Sequence, residues 1–143
     1  MALKSTIYKA QLQIADMEGD GRREIIVGVQ KSTHFFPRPH HCLFIYRFDG
    51  RTVRPMWLGS SLSKPFVDFT FAKRGHGDAK KLIALEITRD GRRCVTVYSW
   101  DGFGFTADWQ RGNWKTARLL ESSAGRVLLE ADSRRIPVME GAP

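Results

Sequence analysis

No run of apolar residues here approaches the ~20 that a membrane-crossing helix needs, so such a helix is not expected anywhere in the chain. Cysteine is scarce. Cys42 and Cys94 are too few for a disulfide scaffold. The first ten residues, Met1 to Ala10, lack the apolar centre of a secretory signal. The expected location is therefore cytoplasmic, or extracytoplasmic if the chain is cut from a longer precursor. No segment combines a sustained helical period with caps. Acids are in deficit, with 15 Asp and Glu against 23 Lys and Arg for a formal net charge of +8. What is present suits a folded domain: 143 residues, 42% hydrophobic, with nine Phe, four Trp and three Tyr. That apolar fraction excludes disorder. A chain of this length reads as one domain and buries roughly two-thirds of its unfolded surface without disulfides.

The chain repeats itself. Cys42-Leu-Phe-Ile-Tyr-Arg-Phe-Asp-Gly50 aligns with Cys94-Val-Thr-Val-Tyr-Ser-Trp-Asp-Gly102 at an offset of 52, which also pairs Trp57 with Trp109. Upstream, Ile14 to Ile26 aligns with Phe71 to Ile83 at an offset of 57. The difference lies in one place, the loop Gln30–His41, which is longer than its counterpart around Arg89 to Arg93. Each unit reads as four short strands. The first has Ala10–Ala15, Ile25–Val29, Cys42–Arg47 and Thr52–Trp57. The second has Phe66–Ala72, Leu82–Ile87, Cys94–Ser99 and Phe103–Trp109. Asp49-Gly50, Asp90-Gly91 and Asp101-Gly102 are hairpin signals, because Asp-Gly tolerates positive φ. Val95 and Val97 alternate with Thr96 and Tyr98, as in a strand between unlike faces. A shorter third piece adds Lys115–Glu121, Arg126–Ala131 and Arg134–Met139, joined by Ala124-Gly125 and Asp132-Ser133. The expected fold is one all-β domain over residues 1–143. It comprises a first repeat over about 8–62, a second over about 63–114 and a partial third over 115–143.

Four antiparallel strands in about 55 residues is the size of a propeller blade. Asp16-Met-Glu-Gly-Asp-Gly-Arg-Arg-Glu-Ile-Ile-Val-Gly28 resembles the calcium loop of the FG-GAP/VCBS repeats found in integrin-α-type β-propellers. The apolar-Tyr-x-aromatic-Asp-Gly strand and turn is similar to such repeats as well. The resemblance covers roughly residues 10–110, with the diagnostic acids kept only in the first loop. It implies propeller blades, often calcium-bound, in proteins that mostly bind other molecules. Two blades and a partial third are too few to close a propeller, which takes about 4–8. Three readings meet this: a part of a longer protein, an open β arrangement, and, the favoured one, a homo-oligomer that completes the ring with its own copies. In adjacent blades Cys42 and Cys94 would stand further apart than the ~7 Å a disulfide tolerates, so both are expected free.

Three loops carry candidate chemistry. Asp16, Glu18, Asp20 and Glu24 would offer side-chain oxygens to Ca²⁺, and Arg22 its carbonyl, around a bend that Gly19 and Gly21 permit. The alternative is a solvated Asp/Gly turn without the ion. In the second unit Lys73, Gly75, Gly77 and Lys81 replace the four acids. Lysines there could fill the site internally, or Lys73, Arg74, His76, Lys80 and Lys81 could bind an anion. The loop Gln30–His41 carries His34, Phe35, Phe36, Arg38, His40 and His41, a surface for a protein partner. Three histidines could also take zinc, but nothing fixes their geometry.

Four of the 15 acids lie within Asp16–Glu24, which leaves the rest of the surface more basic than the total suggests. Such a field favours acidic partners without sequence specificity. No nucleic-acid-binding motif accompanies it, and neither does a nucleophile elbow or other catalytic constellation. The expected function is a noncatalytic binding or scaffolding module that presents loops to a protein or anionic partner. Carbohydrate recognition at blade-junction pockets near Trp57 and Trp109 is the alternative, and nucleic-acid binding ranks below both.

Overall fold

The computed structural model describes residues 7–31, 40–60, 62, 64–73, 80–102, 104–121 and 127–138. These residues form eleven strands and no helix, arranged as three antiparallel sheets, none closed into a barrel. The first sheet is an up-and-down meander of β1 (Ile7–Ala15), β2 (Glu24–Lys31), β3 (His40–Phe48) and β4 (Val53–Ser60). The second repeats it with β5 (Phe66–Lys73), β6 (Lys80–Ile87), β7 (Arg93–Trp100) and β8 (Phe105–Trp114). The third holds β9 (Ala117–Glu121), β10 (Val127–Ala131) and β11 (Arg134–Pro137), with β10 in the middle.

Turn chemistry sets the hairpins. Gly50 and Gly102 take φ of +94° and +95°, the conformation an Asp-Gly turn offers cheaply. Asp49 secures its turn by accepting the Arg51 and Thr52 N–H groups at 2.9 and 2.8 Å. Asp132 and Ser133 both have positive φ, which permits a two-residue link from β10 to β11.

The two offsets in the sequence are structural. Ile25 pairs with Tyr46 and Ile26 with Ile45, as Leu82 pairs with Tyr98 and Ile83 with Val97. Ile45 faces Trp57 as Val97 faces Trp109, and in both sheets a register shift follows at once, between Ile45 and Tyr46 and between Val97 and Tyr98. One pattern of cross-strand pairs thus builds both meanders. The expected loop 30–41 is shorter than the sequence suggests. The β2–β3 ladder runs on to Lys31 opposite His40, which puts Gln30, His40 and His41 in strands. Likewise Lys73 ends β5, and Lys80 and Lys81 open β6. Backbone pairing does not stop where apolar alternation stops.

The sheets stack, and two cores fill the gaps. Between the first and second sheets, Ile26, Leu43 and Ile45 meet Phe66, Phe69, Leu82 and Ala84. Phe69 packs edge-on to Phe66 and Phe71, with ring centroids 5.8 and 6.4 Å apart. Between the second and third sheets, Ile83, Leu85, Val95 and Val97 meet Val127, Leu129 and Ala131. β6 and β7 are therefore buried on both faces, which is why they read as near-continuous apolar runs.

Candidate functional site

The first candidate is the turn between β1 and β2. Asp16 closes it from within. Its Oδ1 accepts the N–H of Gly19 at 2.8 Å and of Asp20 at 3.1 Å, and its Oδ2 that of Gly21 at 2.8 Å. Gly19 and Gly21 make this possible with φ of +71° and +85°. Asp20 turns to Arg22, accepting its N–H at 2.9 Å and pairing with its guanidinium at 3.0 Å. The Arg22 backbone N–H is the main reason that the Asp20 carboxyl lies below its ordinary value.

Glu24 opens β2 fully buried, and its Oε1 accepts the Met17 N–H at 3.0 Å. Burial pushes its carboxyl above the ordinary value. The compensating charge comes from β3. Arg47 pairs with Glu24 across the ladder, bringing its Nε 3.6 Å from Glu24 Oε2, and its guanidinium also bonds Glu18. The calcium expectation can be tested on this geometry. The Asp16 oxygens are taken by backbone N–H groups, and an arginine fills the space between Glu18 and Glu24. Among the described residues no three Asp, Glu, His or Cys side chains gather to hold a metal. As arranged, these residues do not fit a calcium shell, which needs six to eight inward-facing oxygens.

In the second sheet the polarity is reversed. Lys81 stands at the position of Glu24 and Ser99 at that of Arg47. The Lys81 ammonium bonds Ser99 Oγ and pairs with Asp108 on β8 at 3.2 Å, and Ser99 donates to Asp108 at 2.6 Å. The charge at this register thus has the opposite sign in the two sheets, buried at Glu24 and 31% exposed at Lys81.

The two ends meet at a cleft of about 330 Å³. It is lined by Met17 and Glu18 of the first turn, Lys80 and Lys81 of β6, and Ser99, Trp100 and Asp101 at the end of β7. Lys80 N–H donates to Met17 O at 3.1 Å, tying the turn of the first sheet to β6. Glu18 is satisfied by Arg47 and Lys81 by Asp108. Lys80 has no ion-pair partner among the described residues.

Of the other expected positions, Arg74 and His76 lie outside the described residues, as do His34, Phe35, Phe36 and Arg38. His40, His41 and Lys73 are placed by their backbone alone. Trp57 packs against the first core and Trp109 against the second, so neither forms an open stacking platform. Arg47 and Asp108 are absent from the sequence reading. Pairing Glu24 with its hairpin partner would have found Arg47. Asp108 gave no such signal, because its equivalent in the first unit is Met56.

A further polar group lies within the first core. Glu86 is fully buried and accepts the hydroxyls of Thr96 and Tyr98, each at 2.5 Å. Burial raises its carboxyl above the ordinary value despite these donors. Cys94, on the strand facing it, is buried and free, and burial followed by the nearby Glu86 pushes its thiol up.

Comparison of the chain with protein-family models, with curated proteins and with solved structures gave no match.

Proposed function

We propose that this chain is a noncatalytic binding module built from β-propeller-type repeats, and that its cleft takes an acidic group of a protein partner. The supporting observation is Lys80. It lines a cleft wide enough for a carboxylate side chain, together with Glu18 and Lys81, which are already paired with Arg47 and Asp108, and with Asp101. A cation with no ion-pair partner among the described residues attracts an anion without having to break an existing pair. Trp100 adds an apolar wall. The residues running into Lys80 include Arg74 and His76, which extend the positive field along the sequence. A binding role agrees with Cys94, whose buried, raised thiol is the reverse of an activated nucleophile.

A labelled oligoglutamate peptide tests this reading. Binding should be measurable at low salt, weaken steeply as salt rises, and fall at least tenfold in Lys80→Glu. Trp100 fluorescence should change on binding. Equal affinity of Lys80→Glu and the unaltered chain would reject the cleft. Tighter binding of a single-stranded oligonucleotide than of the peptide would replace a protein partner with nucleic acid.

A further inference from the structure

The two ends of the sheet stack differ in character. On the first sheet, Ile26, Leu43 and Ile45 point into the core, so alternation sends their strand neighbours to the opposite face. Three cross-strand rows cover that face: Leu12–Val27–Phe44, Ile14–Ile25–Tyr46, and Phe48–Val53. None of these residues is charged. Leu12, Ile14, Phe48 and Val53 are between 51 and 64% exposed, and they are the large hydrophobics most open to solvent among the described residues. All four lie on one face of one sheet.

The third sheet ends the stack differently. Val127, Leu129 and Ala131 point inward, leaving Glu130 outward between two arginines. Arg118 Nε lies 3.0 Å from one Glu130 oxygen and Arg135 Nε 3.8 Å from the other. That face sets this ion cluster beside one uncharged row, Leu120–Leu128–Pro137.

We infer that the outer face of the first sheet docks against the same face of a second copy of this chain. A twofold contact brings each surface against itself, so it must be self-complementary. The three rows, which carry no charge, meet that condition even in a chain of net charge +8, with Lys31 and His40 on the same face only at the far end of the β2–β3 ladder. Docking it instead on the third sheet of another copy would bury the Arg118–Glu130–Arg135 cluster, at a desolvation cost the symmetric contact avoids. The area is sufficient. Four strands ~4.8 Å apart and about eight residues long make a face of about 500 Å² per copy, or on the order of 1,000 Å² for the pair. That reaches the lower bound for a specific interface, and the face of one copy is toward the upper end of the ~300–600 Å² that the largest apolar patch of a monomer usually covers. The contact also closes the stack. Both ends of the resulting dimer are third sheets whose outer faces carry the Arg118–Glu130–Arg135 cluster, so assembly stops at two.

Light scattering coupled to size exclusion tests this with the full chain over a range of concentrations. The expected result is twice the chain mass at high micromolar concentration, with dissociation on dilution. Ile14→Glu should give a monomer with an unchanged far-ultraviolet spectrum. Phe48→Glu, on the same face and also solvent-exposed, decides the matter if Ile14→Glu fails to fold. Leu128→Glu, on the charged end, should leave the dimer intact. A monomer at every concentration overturns the inference. So does a mass that grows beyond two copies, or a dimer broken by Leu128→Glu and not by the two first-sheet variants.

Discussion

Arg47 Nε lies 3.6 Å from the buried Oε2 of Glu24, its cross-strand partner on β2. This pairing places a fixed positive charge where the sequence pattern suggests a divalent cation. Glu24 cannot stay ionised in an apolar setting without a counter-charge, and Arg47 supplies it from within the chain. The signs reverse in the second sheet, where Lys81 takes the position of Glu24 and meets Asp108 at 3.2 Å. Both sheets reach the same end by different residues: a strand-end charge neutralised from another strand of the same sheet, the adjacent β3 for Glu24 and the next-but-one β8 for Lys81.

Removing one partner leaves the other buried and unpaired. Arg47→Met should therefore lower stability by about 3 kcal/mol. Adding Glu24→Gln to that variant should recover most of the loss, a coupling that a double-mutant cycle in urea would measure. Calcium should leave the melting temperature of the unaltered chain where it is. A native-state ligand raises it by mass action, so a rise that Asp16→Asn and Asp20→Asn abolish would show that the ion displaces Arg47.

Glu86 makes stability depend on pH. Burial lifts its carboxyl above the ordinary value of 4.5, so the folded chain keeps this proton to a higher pH than the unfolded chain does. Between the two values the folded state holds more protons, and stability falls as pH rises. The contribution is complete below pH 4.5 and is lost as pH climbs through the folded value. The exposed Asp20, Asp49 and Asp90 shift downward and act in the opposite sense, but they are common to both proteins in a comparison. Glu86→Gln removes the titration while keeping an acceptor for Thr96 and Tyr98. Its stability relative to the unaltered chain should improve steadily from about pH 4 to pH 7. A difference that stays flat over that range would mean that Glu86 titrates normally.

The strands were legible in the sequence because two local signals agreed, the period of two and the Asp-Gly turns. The register was legible as well. Offsets of 57 and 52 predict that Ile25 and Tyr46 pair if Leu82 and Tyr98 do, and they pair. The charges were not legible, since a repeat alignment compares like positions whereas ion pairs join unlike ones. Arg47 aligns with Ser99 and Asp108 with Met56, so alignment shows neither as a partner. Nor could composition separate the first sheet from the second. Ile25-Ile26-Val27 and Leu43-Phe44-Ile45-Tyr46 are apolar toward both faces, as are β6 and β7, yet one face of the first sheet is left open. A run without alternation says that both faces are apolar, and only the stacking order says which one is covered.

Gly28 fixes how closely the first two sheets approach. A Cβ at this position would lie 2.3 Å from Cε1 of Phe69 and 3.2 Å from two further ring carbons. Phe69 cannot retreat easily, because Phe66 and Phe71 flank it edge-on and Gln13 Nε2 holds its carbonyl at 2.7 Å. Gly28→Ala should therefore cost about 1–3 kcal/mol, the range for overpacking a filled core. Phe69→Leu alone should also destabilise, through the volume it removes. Combined, the two changes should cost less than their sum, because the smaller ring-free side chain vacates the space that the methyl needs. Chemical denaturation of the four proteins reads this directly. Strict additivity would mean that the sheets simply move apart, and that Gly28 does not set their spacing.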